Sequence, residues 1–202
     1  MNIKYYGHSC FTVSEAGYTV AFDPFDGVPG YEKLAIKADE VLCSHGHFDH
    51  DYVNAVEIVR GEKSPFTVTE IHSYHDDTMG SQRGTNVIRI LECDGLRIAH
   101  FGDIGCRPTD EQVELLKGLD AAIVPVGGTY TLDARQQKVL MDELQPRVII
   151  PMHYRLGGRG FGVLDELSAF TDLYEDVSFA ESSELTLTKD TPAGVYALKS
   201  AC

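Results

Sequence analysis

The stretch His45-Gly46-His47-Phe48-Asp49-His50 packs three imidazoles and a carboxylate into six residues, directly behind the apolar run Glu40-Val41-Leu42-Cys43-Ser44. In extended backbone alternate side chains share a face, so His45 and His47 can grip one cation while a turn at Asp49 and His50 offers ligands to a second. The pattern is that of a metal loop, and its doubling of ligands suggests two metals. It is delivered by a strand at about Glu40 to Cys43 and followed by helical spacing from Tyr52 to Val59.

Two cations need about six or seven protein ligands with room for water and substrate, so the loop requires distant partners. Candidates stand where strands should end and glycine-rich loops begin: His75 before Asp76-Asp77 and Gly80, Asp103 between Gly102 and Gly105, and His153 after Val148-Ile149-Ile150-Pro151. His72 rivals His75 but sits inside an alternating strand pattern. Asp103 can give one carboxylate oxygen to each cation, or it is a turn or capping aspartate. Asp23 and Asp76 suit the second ring N–H of a ligand imidazole, or are plain turn residues. His8 and His100 read either as histidines supporting the site or as satisfied core histidines. Arg83, Arg155 and Arg159 lie close in sequence to His75 or His153, and a guanidinium fork suits a substrate phosphate or carboxylate; the alternative is a solvated loop arginine. Tyr130 and Thr131 offer hydroxyls to a pocket, or serve equally well as a buried aromatic and a helix-entry residue. Cys10 beside His8 admits a nucleophile reading, though no orienting partner is evident. Gly157-Gly158-Arg159-Gly160 lacks a Walker lysine and reads as a lid or a simple loop.

The first third of the chain reads as strands, Ile3 to Tyr6, Cys10 to Val13 and Tyr18 to Phe22, with a hairpin turn at Glu15-Ala16-Gly17. Further strands are expected over Phe66 to Tyr74, Asn86 to Leu91 and Leu96 to Phe101. Beyond Thr109 the pattern alternates: helix Asp110 to Leu116, strand Ala121 to Pro125, helix Ala134 to Leu144, strand Val148 to Pro151, helix Val163 to Tyr174. A β pair near Val177 to Ala180 and Leu185 to Thr188 closes the chain. The mixture implies an α/β (α+β layered) fold of sheets flanked by helices, with residues 1–202 as one domain.

At 202 residues, with 43% hydrophobic and 24% charged, the chain can fill an ordinary globular core. A formal net charge of -14 opposes binding to nucleic acid or an anionic membrane and favours a small-molecule substrate. With no leader-like apolar segment and no run of about 18 apolar residues, a cytoplasmic location is expected. Five scattered cysteines indicate no disulfide framework or thiolate metal knuckle. Self-association into a homo-oligomer is left open.

The ordered set His45, His47, Asp49, His50, His75, Asp103, His153 resembles that of the metallo-β-lactamase superfamily. More narrowly, Tyr6-Gly7-His8-Ser9, Phe22-Asp23-Pro24-Phe25, Gly84-Thr85-Asn86, His100-Phe101-Gly102-Asp103 and Pro125-Val126-Gly127-Gly128 resemble the small single-domain branch similar to ascorbate-phosphate lactonase. The resemblance implies an αββα sandwich of two mixed sheets flanked by helices, with metals at one edge. It also implies site one at His45, His47 and His75, site two at Asp49, His50 and His153, and a bridge at Asp103. The long insertions of the superfamily's nucleases and dinuclear-iron flavoproteins are missing, which implies a small substrate. The expected function is a dinuclear hydrolase using a metal-bridging hydroxide, oriented or deprotonated by Asp49, to cleave a small ester, lactone or phosphoester. Five imidazoles and two carboxylates without thiolate suit two Zn2+ ions and also admit Mn2+, Fe2+ or Ni2+. Two other readings stand: a mononuclear iron oxidoreductase of the sulfur-dioxygenase kind, and a non-catalytic metal-stabilised binding protein.

Overall fold

In a computed structural model that describes residues 1–59 and 63–202, the chain forms two large sheets and a short ribbon. The strands are β1 (Asn2–Gly7), β2 (Cys10–Glu15), β3 (Tyr18–Phe22), β4 (Ile36–Ala38), β5 (Glu40–Leu42), β6 (Val56–Ile58) and β7 (Thr67–Tyr74). They continue with β8 (Thr85–Cys93), β9 (Leu96–His100), β10 (Ala121–Pro125), β11 (Val148–Met152), β12 (Val177–Phe179), β13 (Glu184–Thr186) and β14 (Gly194–Ala197). Three α-helices intervene: α1 (Asp110–Leu116), α2 (Ala134–Leu144) and α3 (Ser168–Thr171). One sheet has the order β13-β1-β2-β3-β5, the other β12-β14-β11-β10-β9-β8-β7, and β4 pairs with β6. No helix among the described residues is long and apolar enough to cross a membrane.

The period-2 alternation of β2 and β3 builds two cores. Phe11, Val13, Val20 and Phe22 point into the main cluster with Ile88, Ile90 and Ile98 of the larger sheet, whereas Cys10 and Ala21 face a second cluster with Phe25, Ile36 and Val56. Strands β10 and β11 are buried along their whole length and parallel, which explains their unbroken apolar runs. Both α1 and α2 begin with full capping boxes, Thr109 with Gln112 and Asp133 with Gln136, and lay Val113, Leu116, Leu140, Met141 and Leu144 on the main core.

Three expectations fail because partners elsewhere in the fold override the local pattern. Residues Tyr52 to Val59 form a 3-10 turn (Val53–Ala55) and then β6, because their β-branched residues find a parallel partner in β4. The helix expected from Val163 to Tyr174 shrinks to α3, since the backbone of Asp165 and Leu167 is taken up by Gly127 and Arg155 instead. The two closing strands do not pair with each other. β12 runs beside β14 in the larger sheet, and β13 edges the smaller one against β1.

Asp120 ties the base of the larger sheet. It accepts from Arg147 Nη2 at 2.7 Å, from the Arg97 backbone N–H at 2.8 Å and from Lys189 Nζ at 3.2 Å. Burial would raise its carboxyl, but Arg147, the Arg97 amide and Lys189 outweigh it and hold it below the usual range. Such a depressed group contributes stability above its unfolded value near 4 that is lost as pH falls further. Asp120→Asn should cost about 2 kcal/mol at pH 7, which is roughly 4–8 °C in Tm. Thermal melts should show the gap to wild type narrowing below about pH 4; a gap independent of pH would contradict this account.

Candidate metal centre

The sheet topology brings every site-bearing segment to one edge. β1, β3 and β5 run in one direction in the smaller sheet, and β7, β9 and β11 share a direction in the larger. His8, Asp23, the 45–50 loop, His75, Asp103 and His153 each follow the carboxyl end of one of these strands. Ligand sites gather at such ends because loops there face a common crevice.

The loop after β5 closes on itself: the His50 and Asp51 amides both donate to the His47 carbonyl, at 2.8 and 2.9 Å, and Tyr52 N–H ties to Pro24 O at 2.8 Å. This turns His45, His47 and His75 toward one another, with the His45 ring 4.5 Å from His47 and 4.6 Å from His75 between centroids. Asp103 is the hub. Its Oδ2 lies 3.1 Å from His153 Nε2, 3.2 Å from His50 Nε2 and 3.3 Å from His75 Nε2. The turn that presents it needs glycine: a Cβ on Gly102, at φ +56°, would stand 2.2 Å from Asn86 Oδ1 and 2.4 Å from Ser44 Cβ.

All seven residues read as metal ligands therefore converge. Possible ligand atoms within 4.8 Å of one another define three overlapping sets: His45, His47, His75; His8, Asp49, His50, His153; and His45, His50, Asp103. In the last set, His45 Nε2, His50 Nε2 and Asp103 Oδ1 are buried and have no hydrogen-bond partner among the described residues. Leaving such atoms unpaired costs about 1–3 kcal/mol each, and imidazole nitrogens facing a carboxylate form the donor set of a zinc-type cation. The residues fit the metal that the loop implies.

Electrostatics prepares them. Burial, then neighbouring His50, pushes the His45 imidazole down to about 3, so its lone pair is free at neutral pH. His8 is pushed down to about 4 by burial and by His153. Burial opposes charge on His50, but Asp103 and Asp23 together hold it well above the ordinary histidine value. Burial also opposes charge on Asp103 and Asp49; His153 and His50 around the first, and His8 and His50 around the second, hold both carboxyls low.

The supporting residues divide clearly. Asp23, at φ +42°, accepts from His50 Nδ1 at 2.8 Å and from Ser44 N and Oγ at 2.6 Å, while Ser44 Oγ lies 2.9 Å from His45 Nδ1. His8, the most consequential of the supporting histidines, meets Asp49 Oδ2 at 3.2 Å through Nε2; its carbonyl receives the His153 amide at 2.9 Å. His8 and His153 both hold positive φ, at 50° and 53°, a strained conformation kept by this interlock. His100 is a core histidine: it stacks on Phe22 at 5.0 Å, and its Nδ1 accepts the Gly102 amide. Asp76 orients no imidazole, contrary to expectation, because its oxygens take the amides of Thr78, Gly80, Gln82 and Arg83. Arg155 also leaves the site, paired with Glu166 at 3.2 Å, and Arg159 bonds Ser200. His72 is exposed, and the Cys10 thiol, fully buried, is pushed well up and is no nucleophile.

Two residues escaped the sequence reading, Ser44 and Asn86. Asn86 donates to Phe101 O and Ser73 Oγ and accepts from the Asp103 amide, each at 2.9 Å, clamping the hub loop to β7. Its only signal was its place in Gly84-Thr85-Asn86.

Over these groups lies a cleft of about 660 Å3 lined by His47, Phe48, Asp49, Arg83, Tyr130 and Phe161 among others. A volume of that order suits a small molecule.

Residues 2–153 match the Beta-lactamase superfamily domain. A UPF0173 protein of Pyrococcus abyssi is 27% identical over 189 residues, covering 79% of this chain and 86% of its own length. A UPF0173 metal-dependent hydrolase of Hyperthermus butylicus is 28% identical over 190 residues, covering 75% and 82%. Among solved structures, a candidate Zn-dependent hydrolase of the metallo-beta-lactamase superfamily from Thermotoga maritima superposes with a TM-score of 0.76 at 29% identity, over 98% of this chain and 97% of its own. With the ligand sets converged on one sheet edge and this match across most of its length, the chain belongs to the metallo-β-lactamase superfamily and is a metal-dependent hydrolase.

Proposed function

We propose that the hydrolase is dinuclear and zinc-loaded and cleaves a small ester, lactone or phosphoester. His45, His47 and His75 hold one cation, Asp49, His50 and His153 the other, and Asp103 serves both. The observation that carries this reading is the position of Asp103, whose Oδ2 stands within 3.3 Å of imidazoles assigned to each site. A shared carboxylate offsets the repulsion between two close cations. Once bound, the metals supply Lewis acidity, bringing a coordinated water toward a pKa of about 7 and polarising the scissile bond.

The chain's own groups do the rest. Asp49, on the cleft floor, orients the attacking water and accepts its proton, and His8 Nε2–H fixes the carboxylate that does so. Asp23 and Ser44 lock the rings of His50 and His45.

Metal analysis combined with a substrate panel tests this. Zinc-loaded protein should carry two zinc ions per chain and turn over at least one class among phosphodiesters, lactones and thioesters. His45→Ala should drop the count to about one. One iron per chain with oxygen consumption, or silence across the panel at full zinc loading, would overturn the reading.

A further inference from the structure

Arg83 is the one lysine or arginine among the described residues that line the cleft. Its backbone is pinned beside the metal centre: Asp76 Oδ2 accepts the Arg83 amide at 2.7 Å, and the His75 amide donates to Gly84 O at 3.0 Å. Its head is pinned as well, with the guanidinium carbon 3.6 Å from the centroid of the Tyr130 ring. Stacking uses the face of the guanidinium and leaves its N–H edges free. No carboxylate or carbonyl among the described residues takes those N–H groups, whereas Arg155 and Arg159 both spend theirs on protein partners.

Other parts of the wall are apolar. Phe48, 61% exposed although it sits inside the metal loop, meets Phe161 edge to face at 6.2 Å, and Val163 extends the surface. The cleft therefore combines a metal floor, an apolar wall and a preorganised, unspent fork of donors. A guanidinium fixed in this way matches an oxyanion in two-point contact.

We infer that Arg83 determines specificity: the substrate carries an oxyanion, carboxylate or phosphate, separated by an apolar stretch from the bond cut at the metals. The inference rests on the dinuclear reading and names the substrate class of that same site.

Binding of paired probes to zinc-loaded protein tests it by calorimetry. Alkylphosphonates of three to six carbons present one head to the metals. Their ω-carboxy and α,ω-bisphosphonate counterparts add a second anion at varied reach. At the matching length the two-headed probe should bind roughly tenfold or more tightly than its alkylphosphonate, and the better of the two series identifies the anion. That ratio should fall to near one in Arg83→Met, recover in part in Arg83→Lys, and shrink in Tyr130→Leu, with circular dichroism and zinc content recorded for each. A ratio near one at every length in wild type, or a ratio unchanged in Arg83→Met, overturns the inference and leaves the dinuclear reading standing. Failure of every phosphonate to bind protein shown to carry two zinc ions per chain would overturn the inference alone, whereas one zinc ion or fewer per chain would overturn the dinuclear reading.

Discussion

Asp49→Ala should lower kcat by two to four orders of magnitude, the range set by losing a positioned proton acceptor, while KM moves much less. The side chain lines the cleft, with His8 at 3.2 Å and His50 at 3.8 Å. An interaction used in the transition state depresses kcat and kcat/KM together, which separates this role from one in substrate binding. Because five imidazoles and Asp103 remain, the variant should retain at least one metal per chain. Asp49→Asn keeps the shape and loses the charge, so it should share the kinetic defect. Steady-state kinetics beside elemental analysis decides the matter: activity within tenfold of wild type at equal metal content would remove Asp49 from the reaction.

Asp103→Ala should abolish most zinc-dependent stabilisation. A ligand bound only by the folded chain stabilises it by about 4 kcal/mol at a thousandfold excess over Kd, or roughly 8–16 °C in a chain of this size. Wild type should therefore melt markedly higher with zinc than after chelation. Asp103 should account for much of that gain, since one carboxylate oxygen sits among three imidazole nitrogens and the other is buried without a partner among the described residues. In the dinuclear reading, removing it would leave two cations to repel each other and would take from His50 Nε2, His75 Nε2 and His153 Nε2 the carboxylate they share. Melting curves with and without zinc should show the increment reduced by more than half, and zinc content should fall below one per chain. An unchanged increment would show that Asp103 is not shared between metals.

Much of this arrangement is legible in the sequence. The clustering of His45, His47, Asp49 and His50 in one loop is local chemistry, and strand-end glycine loops flagged His75, Asp103 and His153. What escaped were features whose cause is non-local. Strands β4 and β6 are three residues each and exist because they pair with one another; neither carries a pattern of its own. The helix expected over Val163 to Tyr174 lost its first half to hydrogen bonds with Gly127, far away in sequence, and with Arg155 in the preceding loop. Asp76 was one of two carboxylates suited to orient an imidazole, and only the fold shows Asp23 doing so while Asp76 ties the Arg83 loop.

By itself, the sequence determined the ligand chemistry and the secondary structure of long, strongly patterned segments, because donor type and hydrophobic period are properties of neighbouring residues. The tertiary structure alone decided which arginine faces the cleft, that His8 holds Asp49, and that six strand ends from two sheets bring their loops to one site. Those are matters of distance between segments up to about 145 positions apart, as from His8 to His153, and chain closure over such spans is set by the packing of the whole core, for which no short stretch of residues carries a signal.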